Sequence, residues 1–286
     1  MKYDQFSNYP LSKVSKIGIG GICPHYYVVY DEEAMCDIVA LCRSLNYAYY
    51  IIGNASKILF SDGICPYVII KNNINYLTID ENVIKVGSGY LLPMLCSRLI
   101  DLGFVGFAEL SDIPGSIGGA IVMNAGANGK AISDYLESVE VLIDDKKVTI
   151  EKNELIFNYR YSSFQTNNYV ILGATFKCQR GDSDVEIKKR DKYRILRKER
   201  QPIANLSLGS TFINSEGKSI GNLIEQMGLK GLHVGDAKIS ERHGNFIVNN
   251  GKASAKNVAL LIDIMTNKLY NTHRISPKLE IIILRW

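Results

Sequence analysis

Residues 112–129 carry the most informative chemistry in the chain. Five glycines fall within these eighteen positions, which read Asp-Ile-Pro-Gly-Ser-Ile-Gly-Gly-Ala-Ile-Val-Met-Asn-Ala-Gly-Ala-Asn-Gly. Gly115, Gly118 and Gly119 permit positive φ and remove the Cβ atoms that would hold a ligand away from the main-chain N–H groups. Successive free N–H groups form a concavity for an anion, and a helix beginning near Ala120 would add a partial positive charge. The segment therefore predicts a diphosphate loop, although a glycine-rich turn between buried elements has the same composition.

A second glycine turn lies upstream, within residues 49–62. An apolar run at 49–52 breaks and continues through small polar residues, which predicts a strand that ends in a phosphate-type loop. The residues of this loop are Gly53, Asn54, Ala55, Ser56 and Lys57. Neither glycine segment has the Gly-x-Gly-x-x-Gly fingerprint or the P-loop pattern, so the usual Rossmann and nucleoside-triphosphate interpretations are unsupported.

Three further residues could bind or react with a substrate. Arg160 lies among aromatic residues at 157–164, where its planar fork suits a carboxylate, although the local sequence favours an Arg stacked on surface tyrosines. Ser210 precedes a predicted strand, a place where most serines are caps or turn residues. Glu280 opens an apolar strand, where an unpaired carboxylate is costly, and this implies a partner such as an Arg or a substrate.

Several blocks of the sequence are similar, in order, to those of a known family. Residues 113–126 match its segment Ile-Pro-Gly-Ser-(Val/Ile)-Gly-Gly-Ala…Met-Asn-Ala-Gly almost residue for residue, and shorter matches lie at 17–21, 159–164, 209–214 and 239–249. On these residues the chain resembles the UDP-N-acetylenolpyruvoylglucosamine reductases of peptidoglycan synthesis, in their shorter form. The resemblance runs from about residue 17 to residue 280.

The resemblance implies an α+β fold with two parts. We expect an FAD-binding domain of the vanillyl-alcohol-oxidase (PCMH) type at 1–185, made of two α+β subdomains that divide near 75–85. A connecting helix at 186–200 would lead to an α+β substrate-binding domain at 201–286. Alternating strand and helix patterns agree with such sheet layers.

The resemblance also implies the cofactors FAD and NADPH, because the family's glycine segment lines the FAD diphosphate and isoalloxazine. The residues expected to bind FAD are Gly53, Asn54, Ala55, Ser56, Lys57, Pro114, Gly115, Ser116, Gly118, Gly119, Asn124 and Gly126. The upstream loop departs from the family's Gly-Gly-Gly-Ser-Asn-Leu-Leu and keeps only Gly53, Ser56 and Leu59. Asn54 and Ala55 replace two glycines, which leaves open how closely the backbone approaches the flavin.

The same resemblance implies two half-reactions, in which NADPH reduces FAD and reduced FAD delivers a hydride to the enolpyruvyl double bond of UDP-N-acetylglucosamine enolpyruvate. The residues expected to carry catalysis are Arg160, Ser210 and Glu280. Those expected to bind substrate are Tyr159, Arg160 and Asn214. Arg160 and Glu280 would polarise the substrate carboxylate and enol, and Ser210 would donate a proton to carbon. We assign no catalytic role to His243.

Two residues near Asn214 depart from the family pattern Gly-Ser-x-Phe-Lys-Asn-Pro. Ile213 takes the place of its Lys, and Ser215 that of its Pro. One expected cation is therefore missing near the substrate.

Hydrophobic periodicity predicts the elements that position these residues. A helix from Asp31 or Glu32 should bury Met35, Ile38, Val39, Cys42 and Leu45 on one face. We also predict strands at 67–70, 83–86, 169–176, 245–248 and 280–284, helices at 91–102 and 221–227 (ended by Gly228), a hairpin at 139–150 around Asp144 and Asp145, and a helix capped by Ser254.

Composition excludes several functional classes. The 286 residues carry 33 basic and 29 acidic side chains, and a net charge of +4 is too mild to indicate nucleic acid or an anionic membrane. The six cysteines are scattered without metal-ligand spacing, so we interpret them as buried free thiols and expect no metal. The N-terminus lacks a secretory pattern, and no apolar run approaches a membrane span. We expect a cytoplasmic monomer.

Residues 184–200 concentrate basic side chains among interleaved acids. Such a helix could bind nucleic acid through phosphates. The alternating signs favour a solvated face that pairs with itself, so we expect no nucleic-acid partner.

Two other functions fit parts of the sequence. A flavin oxidase of the same fold would lack the Ser210 and Glu280 blocks and would often tether its flavin covalently. An inactive relative that binds flavin or nucleotide sugar would agree with the altered Gly53 loop and with Ile213.

Overall fold

The computed structural model describes residues 2–215 and 217–286, which form a mixed structure of helices and strands. The helices are α1 (Glu32–Ser44), α2 (Leu92–Asp101), α3 (Ile117–Val122), α4 (Ser183–Arg200), α5 (Ile220–Gln226) and α6 (Ala255–His273). The strands are β1 (Tyr3–Pro10), β2 (Ile22–Val29), β3 (Tyr49–Ile52), β4 (Ile58–Phe60), β5 (Val68–Asn72), β6 (Leu77–Asp80), β7 (Val83–Gly87), β8 (Phe104–Val105), β9 (Gly126–Ala127), β10 (Lys130–Ala131), β11 (Leu136–Ile143), β12 (Lys146–Glu151), β13 (Phe157–Asn158), β14 (Tyr161–Ser162), β15 (Val170–Lys177), β16 (Gln179–Arg180), β17 (Leu206–Ser210), β18 (His233–Val234), β19 (Ala237–Ile239), β20 (Phe246–Asn249) and β21 (Ile282–Leu284).

Two compact units divide the chain. The large unit consists of the described residues up to Ser7, His25–Asn54 and Tyr67–Ile195, and the small unit consists of Asn8–Pro24, Ala55–Pro66 and Leu196–Trp286. The small unit thus takes in two N-terminal segments in addition to the C-terminal part of the chain. The domain limits 1–185, 186–200 and 201–286 stay a prediction.

Two sheets, of four and five strands, lie mainly in the large unit. One has the strand order β1-β2-β5-β3, with β5 parallel to both β2 and β3, and the other has the order β12-β11-β15-β7-β6. Helix α1 buries the predicted residues Met35, Ile38, Val39 and Cys42 in a core with β5. The prediction for Leu45 is wrong: the helix ends at Ser44, so the helical face does not continue, and Leu45 is 53% exposed.

The second core of the large unit lies between the five-stranded sheet and the helices α2 and α3. Helix α2 confirms the helix predicted at 91–102. The hairpin of β11 and β12 is also confirmed, and Asp144 and Asp145 have φ values of 46° and 62° in its turn. Two successive residues with positive φ are typical of the type I′ turns that join tightly paired strands.

The small unit contains the antiparallel sheet β17-β20-β19-β18, whose core is shared with α6. Ser254 caps α6 by accepting a hydrogen bond from the Asn257 N–H, as predicted. The predicted strand at 280–284 is corrected to β21, which begins at Ile282 and pairs in parallel with β4 rather than with the C-terminal sheet. Glu280 therefore precedes the strand instead of opening it.

Helix α4 carries the predicted mixture of paired charges. Lys189 Nζ lies 2.9 Å from Glu186 Oε1, and Arg194 Nε lies 3.2 Å from Asp112 Oδ1. Glu186 is buried and also accepts hydrogen bonds from the main-chain N–H groups of Gly106 and Ala108. The expected pairing within the helix is found for Lys189 and Glu186, whereas Arg194 pairs with an acid outside the helix and Glu186 is buried rather than solvated.

The six cysteines are free thiols, and five of them are buried. Cys36 departs from the expectation of burial because it is only partly covered. Burial raises the pKa of Cys178 to about 12, which keeps this thiol protonated at neutral pH. Within residues 2–215 and 217–286, no cluster of His, Cys, Asp and Glu could hold a metal ion, and no helix has both the length and the apolar content to cross a membrane.

Candidate functional site

The two glycine loops of the large unit lie against each other. Gly53 follows β3 directly, and a Cβ atom at this position would lie 2.1 Å from the Oγ of Ser116. Ser116 is buried and caps α3, and its Oγ accepts a hydrogen bond from the Gly119 N–H at 3.4 Å. Gly53 is therefore required for the close approach of the two predicted loops.

A polar cavity of about 180 Å³ opens beside this contact. Its lining residues are Gly53, Asn54, Lys71, Asn72, Asn73, Asn75, Gly89, Leu91, Met94 and Ser116. Amides and a lysine dominate this lining, so the cavity suits a polar or anionic ligand better than an apolar one.

Asn72 is a buried residue of this cavity that the sequence analysis missed. Its Nδ2 donates to Ser88 Oγ at 2.7 Å and to the carbonyl oxygen of Ile171 at 3.0 Å, and its Oδ1 accepts from the Ile74 N–H. These bonds join the end of β5 to strand β15 and to the turn after β7. An Asn at the end of a strand of buried Val and Ile is the signal that could have identified it.

The main-chain N–H groups of the glycine segment 112–129 were predicted to be free to bind an anion, but two of them are already hydrogen-bonded. The N–H of Gly118 donates to the Ser88 carbonyl oxygen at 2.8 Å, and the N–H of Gly119 bonds to Ser116 Oγ. These two groups are therefore not free for an anion, because the turn at 87–89 takes the first and the Ser116 cap takes the second. Among the described residues, no acceptor takes the N–H of Gly115 or Ser116, so these two remain available.

Asn124 presents an unsatisfied buried acceptor. Its backbone has φ +41°, its Nδ2 donates to the Asn158 carbonyl oxygen at 2.8 Å, and its Oδ1 has no donor within the described parts of the chain. A buried carbonyl oxygen without a partner is costly, which indicates that a ligand N–H or O–H completes it. Gly126 has a packing role, since a Cβ there would lie 2.6 Å from the Lys130 carbonyl oxygen.

Arg160 lies on a turn that is bound to the end of α3. Its backbone has φ +57°, and its guanidinium carbon lies 5.0 Å from the centre of the Tyr159 ring. Gln165 holds the turn, because its Nε2 donates to the carbonyl oxygens of both Arg160 and Val122 at 3.0 Å. The large unit therefore brings Tyr159 and Arg160 next to the segment of Asn124.

The small unit brings together Ser210, Glu280 and Lys57. Glu280 is 8% exposed, and its Oε1 lies 2.7 Å from Lys57 Nζ. The same ammonium donates to the main-chain oxygen of Ser210 at 3.0 Å. The buried carboxylate thus has a lysine of the upstream loop as a partner. Lys57 was expected to contact FAD instead.

The other predicted residues occupy supporting positions. Ala55 adopts φ +45°, a left-handed conformation that favours the glycine of the family pattern. Asn214 uses its Oδ1 to accept from the Ile220 N–H at the start of α5. Ala55, Ser56, Lys57, Ser210, Asn214 and Glu280 belong to the small unit, and the other predicted site residues belong to the large unit.

Comparison with known proteins decides between these interpretations. Residues 24–150 match the family model "FAD binding domain", and residues 201–284 match "UDP-N-acetylenolpyruvoylglucosamine reductase, C-terminal domain". The UDP-N-acetylenolpyruvoylglucosamine reductase of Clostridium novyi is 35% identical over 277 residues, which cover 96% of this chain and 90% of the relative. The chain belongs to the UDP-N-acetylenolpyruvoylglucosamine reductase family.

Two further similarities agree with this membership of the reductase family. The reductase of Chlamydia felis is 38% identical over 261 residues, covering 91% of this chain and 88% of the relative. The crystal structure of the reductase from Thermus caldophilus superposes with a TM-score of 0.86 at 31% identity and covers 100% of both chains. The expected α+β architecture, with an FAD-binding domain and a C-terminal domain of this reductase family, is confirmed.

The family match allows the FAD contacts to be tested against the large unit. FAD carries diphosphate oxygens that accept hydrogen bonds, and hydroxyl and N–H groups that donate them. The available N–H groups of Gly115 and Ser116 can donate to the diphosphate oxygens. The buried Asn124 Oδ1 can accept from a hydroxyl or N–H group of FAD. The residues present therefore fit the cofactor of the reductase family.

Replacement of Gly53 by alanine should weaken FAD binding. The new Cβ would lie 2.1 Å from Ser116 Oγ and would force Ser116 out of its capping position. Overpacking of this kind costs about 1–3 kcal/mol, and each 1.4 kcal/mol raises a Kd about tenfold. Fluorescence titration of the apoprotein with FAD measures the change.

A double substitution controls for the cause of that loss. Gly53→Ala combined with Ser116→Ala removes the obstructing oxygen, so its melting temperature without FAD should lie above that of Gly53→Ala alone. If Gly53→Ala retains both the wild-type FAD affinity and the wild-type melting temperature, the two loops do not require this contact.

His243 is a half-buried structural residue in the motif 239–249. Its Nδ1 accepts a hydrogen bond from the Asn245 N–H at 3.2 Å, so its proton lies on Nε2 in the neutral form. A Cβ at Gly221 would lie 2.8 Å from its ring, and the Phe246 ring packs on it. Burial lowers the pKa of His243, Lys230 lowers it further, and the nearby Glu225 opposes this effect. These contacts agree with a supporting role.

The lowered pKa of His243 predicts a pH-dependent stability. Between the ordinary histidine pKa of about 6.5 and the lower pKa of the folded state, His243 is protonated in the unfolded chain but neutral in the folded chain. The free energy of unfolding should therefore fall as the pH drops from 6.5 and level off below the folded-state pKa, with a slope of up to about 1.4 kcal/mol per pH unit. Urea unfolding from pH 5 to 8 should show a shallower slope for His243→Gln. Equal slopes for both proteins would contradict the assignment.

Proposed function

We propose that this chain catalyses the NADPH-dependent, FAD-mediated reduction of UDP-N-acetylglucosamine enolpyruvate to UDP-N-acetylmuramate, in the synthesis of peptidoglycan precursors. The observation that carries the proposal is the buried Glu280, which Lys57 joins to the main chain of Ser210. Glu280 and Ser210 lie in the part of the chain that matches the reductase C-terminal domain. An FAD-binding domain without this block would be expected in an oxidase.

The chain's own residues would hold FAD in the large unit. The N–H groups of Gly115 and Ser116 would bind diphosphate oxygens, and Asn124 Oδ1 would accept from a flavin N–H or a hydroxyl. The amide-lined cavity beside Gly53 gives room for a polar part of the cofactor. When bound, FAD supplies the hydride-transfer chemistry, and the protein supplies orientation and electrostatics.

Three side chains would act on the substrate. The Arg160 guanidinium would bind the carboxylate with two parallel charge-assisted hydrogen bonds, and Tyr159 would support it. Ser210 would donate its Oγ proton to one vinyl carbon, and Glu280 would polarise the enol. The net change is the addition of a hydride from NADPH and one proton across the double bond, which leaves NADP⁺ and the saturated lactyl ether.

We also infer where and in what form the enzyme acts. The six free thiols support a reducing compartment such as the cytoplasm. We take the active form to be a monomer.

A product analysis tests the proposed function. The purified protein with FAD, NADPH and UDP-N-acetylglucosamine enolpyruvate should form UDP-N-acetylmuramate in a one-to-one ratio with NADPH consumed, measured by mass spectrometry and absorbance. UDP-N-acetylglucosamine is the matched control, because it lacks the double bond and should cause no NADPH consumption. NADPH consumption that yields only reduced oxygen would indicate an oxidase and refute the proposal.

A further inference from the structure

Lys57 connects two candidate catalytic residues of the small unit. Its Nζ lies 2.7 Å from Glu280 Oε1 and donates to the Ser210 carbonyl oxygen at 3.0 Å. The backbone fixes this arrangement, because Lys57 directly precedes β4 and Glu280 lies just before β21 in the parallel pair. The Ile282 N–H also donates to the Lys57 carbonyl oxygen at 2.8 Å.

Gly209 provides the space that the Lys57 ammonium occupies. A Cβ at Gly209 would lie 3.2 Å from Lys57 Nζ and 3.7 Å from Cε, and the backbone there has φ +72°. A side chain at this position would press on the ammonium and strain the backbone at the irregularity of β17 between Ser207 and Ser210. The glycine before Ser210 therefore serves the lysine contact as well as this irregular strand conformation.

The position of Ile213 shows why this cation matters. Phe212 pairs with Leu279, and hydrogen bonds join Glu280 to Thr211 and Ile213 to Lys278. Because side chains alternate along paired strands, Thr211, Ile213, Lys278 and Glu280 share one face. Position 213 thus lies on the Glu280 face but carries an apolar side chain. Lys57, on another segment, supplies a cation that contacts the carboxylate.

We propose that Lys57 is a positioning residue for the reduction step, and that its ammonium takes over the role of a cation at position 213. It holds the Glu280 carboxylate and the Ser210 main chain in one geometry. Removing one partner of a buried ion pair leaves an uncompensated charge, which is more damaging than removing both. This inference rests on the proposed function for its kinetic consequences, but the Lys57–Glu280 pairing does not depend on activity.

Stopped-flow kinetics under anaerobic conditions tests the kinetic consequence. With saturating FAD, Lys57→Met should leave flavin reduction by NADPH unchanged and slow reoxidation by UDP-N-acetylglucosamine enolpyruvate about a hundredfold. The double variant Lys57→Met/Ile213→Lys should be reoxidised by the substrate about tenfold faster than Lys57→Met, because a lysine at 213 lies on the Glu280 face. Lys278→Met, an exposed lysine on the same face, is the matched control and should behave as wild type.

Three results would overturn the proposal. The first is wild-type reoxidation in Lys57→Met, and the second is a loss that Ile213→Lys does not reverse. The third is weaker FAD binding with a normal reoxidation rate, which would make Lys57 a flavin ligand. If the wild-type protein itself shows no reoxidation by substrate, the proposed function fails instead.

A double-mutant cycle decides the pairing whatever the activity. The melting temperatures of Lys57→Met, Glu280→Gln and the double variant are compared with wild type. We expect the double variant to lose less than the sum of the single losses, because the two groups are coupled. Strictly additive losses would contradict the pairing and therefore the proposal.

Discussion

Replacing Ser210 with alanine should leave flavin reduction by NADPH intact and slow reoxidation by UDP-N-acetylglucosamine enolpyruvate by about 10²–10⁴-fold. A positioned proton donor typically contributes a factor of this size, and the substitution removes only the hydroxyl. Ser210 ends β17 opposite Phe246, and Lys57 holds its main-chain oxygen. Since these main-chain contacts survive in alanine, the loss should report the missing proton. Anaerobic stopped-flow absorbance measures the two half-reactions separately.

Ser207 provides the control for this experiment. It lies in the same strand and pairs with Val248, so Ser207→Ala tests loss of a hydroxyl from β17 without loss of the proposed acid. We expect wild-type rates for both half-reactions. A Ser210→Ala rate of reoxidation within twofold of wild type would remove Ser210 from the catalytic residues.

Replacing Arg160 with lysine should lower kcat/KM for the enolpyruvyl substrate by about a hundredfold. Lysine keeps the charge but loses the planar fork that bonds both carboxylate oxygens. Loss of a buried charge-assisted contact typically costs about 2–5 kcal/mol, and 2.7 kcal/mol is about a hundredfold. Both side chains bear the same strain at φ +57°, so the comparison isolates the head group. Steady-state kinetics and a substrate titration measure the effect.

Arg180 is the matched control for Arg160. Its guanidinium carbon lies 4.5 Å from the centre of the Phe104 ring, so it also stacks on an aromatic residue, and it bonds the Leu102 carbonyl oxygen. Arg180→Lys should leave kcat/KM unchanged. If Arg160→Lys behaves in the same way, Arg160 is a stacked surface residue, as its local sequence alone favours.

Local patterns predicted the helices and the hairpin well, because their signals lie within a few residues. The apolar face of α1, the Ser254 cap and the turn at Asp144 all follow from near neighbours in the chain. The partner of the final strand could not be predicted in the same way, since β4 lies more than 200 residues upstream of β21. The inclusion of 8–24 and 55–66 in the small unit depends on the same kind of distant pairing.

The candidate site was predicted at the level of segments but not of atoms. Glycine density located the loop of Ser116, and the break in an apolar run located the loop of Gly53. The contact between the two loops could be seen only in the folded chain. The N–H groups of Gly118 and Gly119 were expected to be free. Ser116 caps the helix by accepting from Gly119, and the distant turn at 87–89 supplies the acceptor for Gly118, which no local pattern indicates. The direction of the Lys57 side chain, towards Glu280, likewise depends on how β4 pairs with β21.

The most direct test of the proposed reductase is an anaerobic absorbance experiment on the purified protein. FAD is bound first, NADPH is then added, and UDP-N-acetylglucosamine enolpyruvate follows. The proposed function predicts that the flavin absorbance bleaches with NADPH and returns only when the enolpyruvyl substrate is added. Failure to bind FAD, or a bleached flavin that this substrate does not reoxidise, would contradict it.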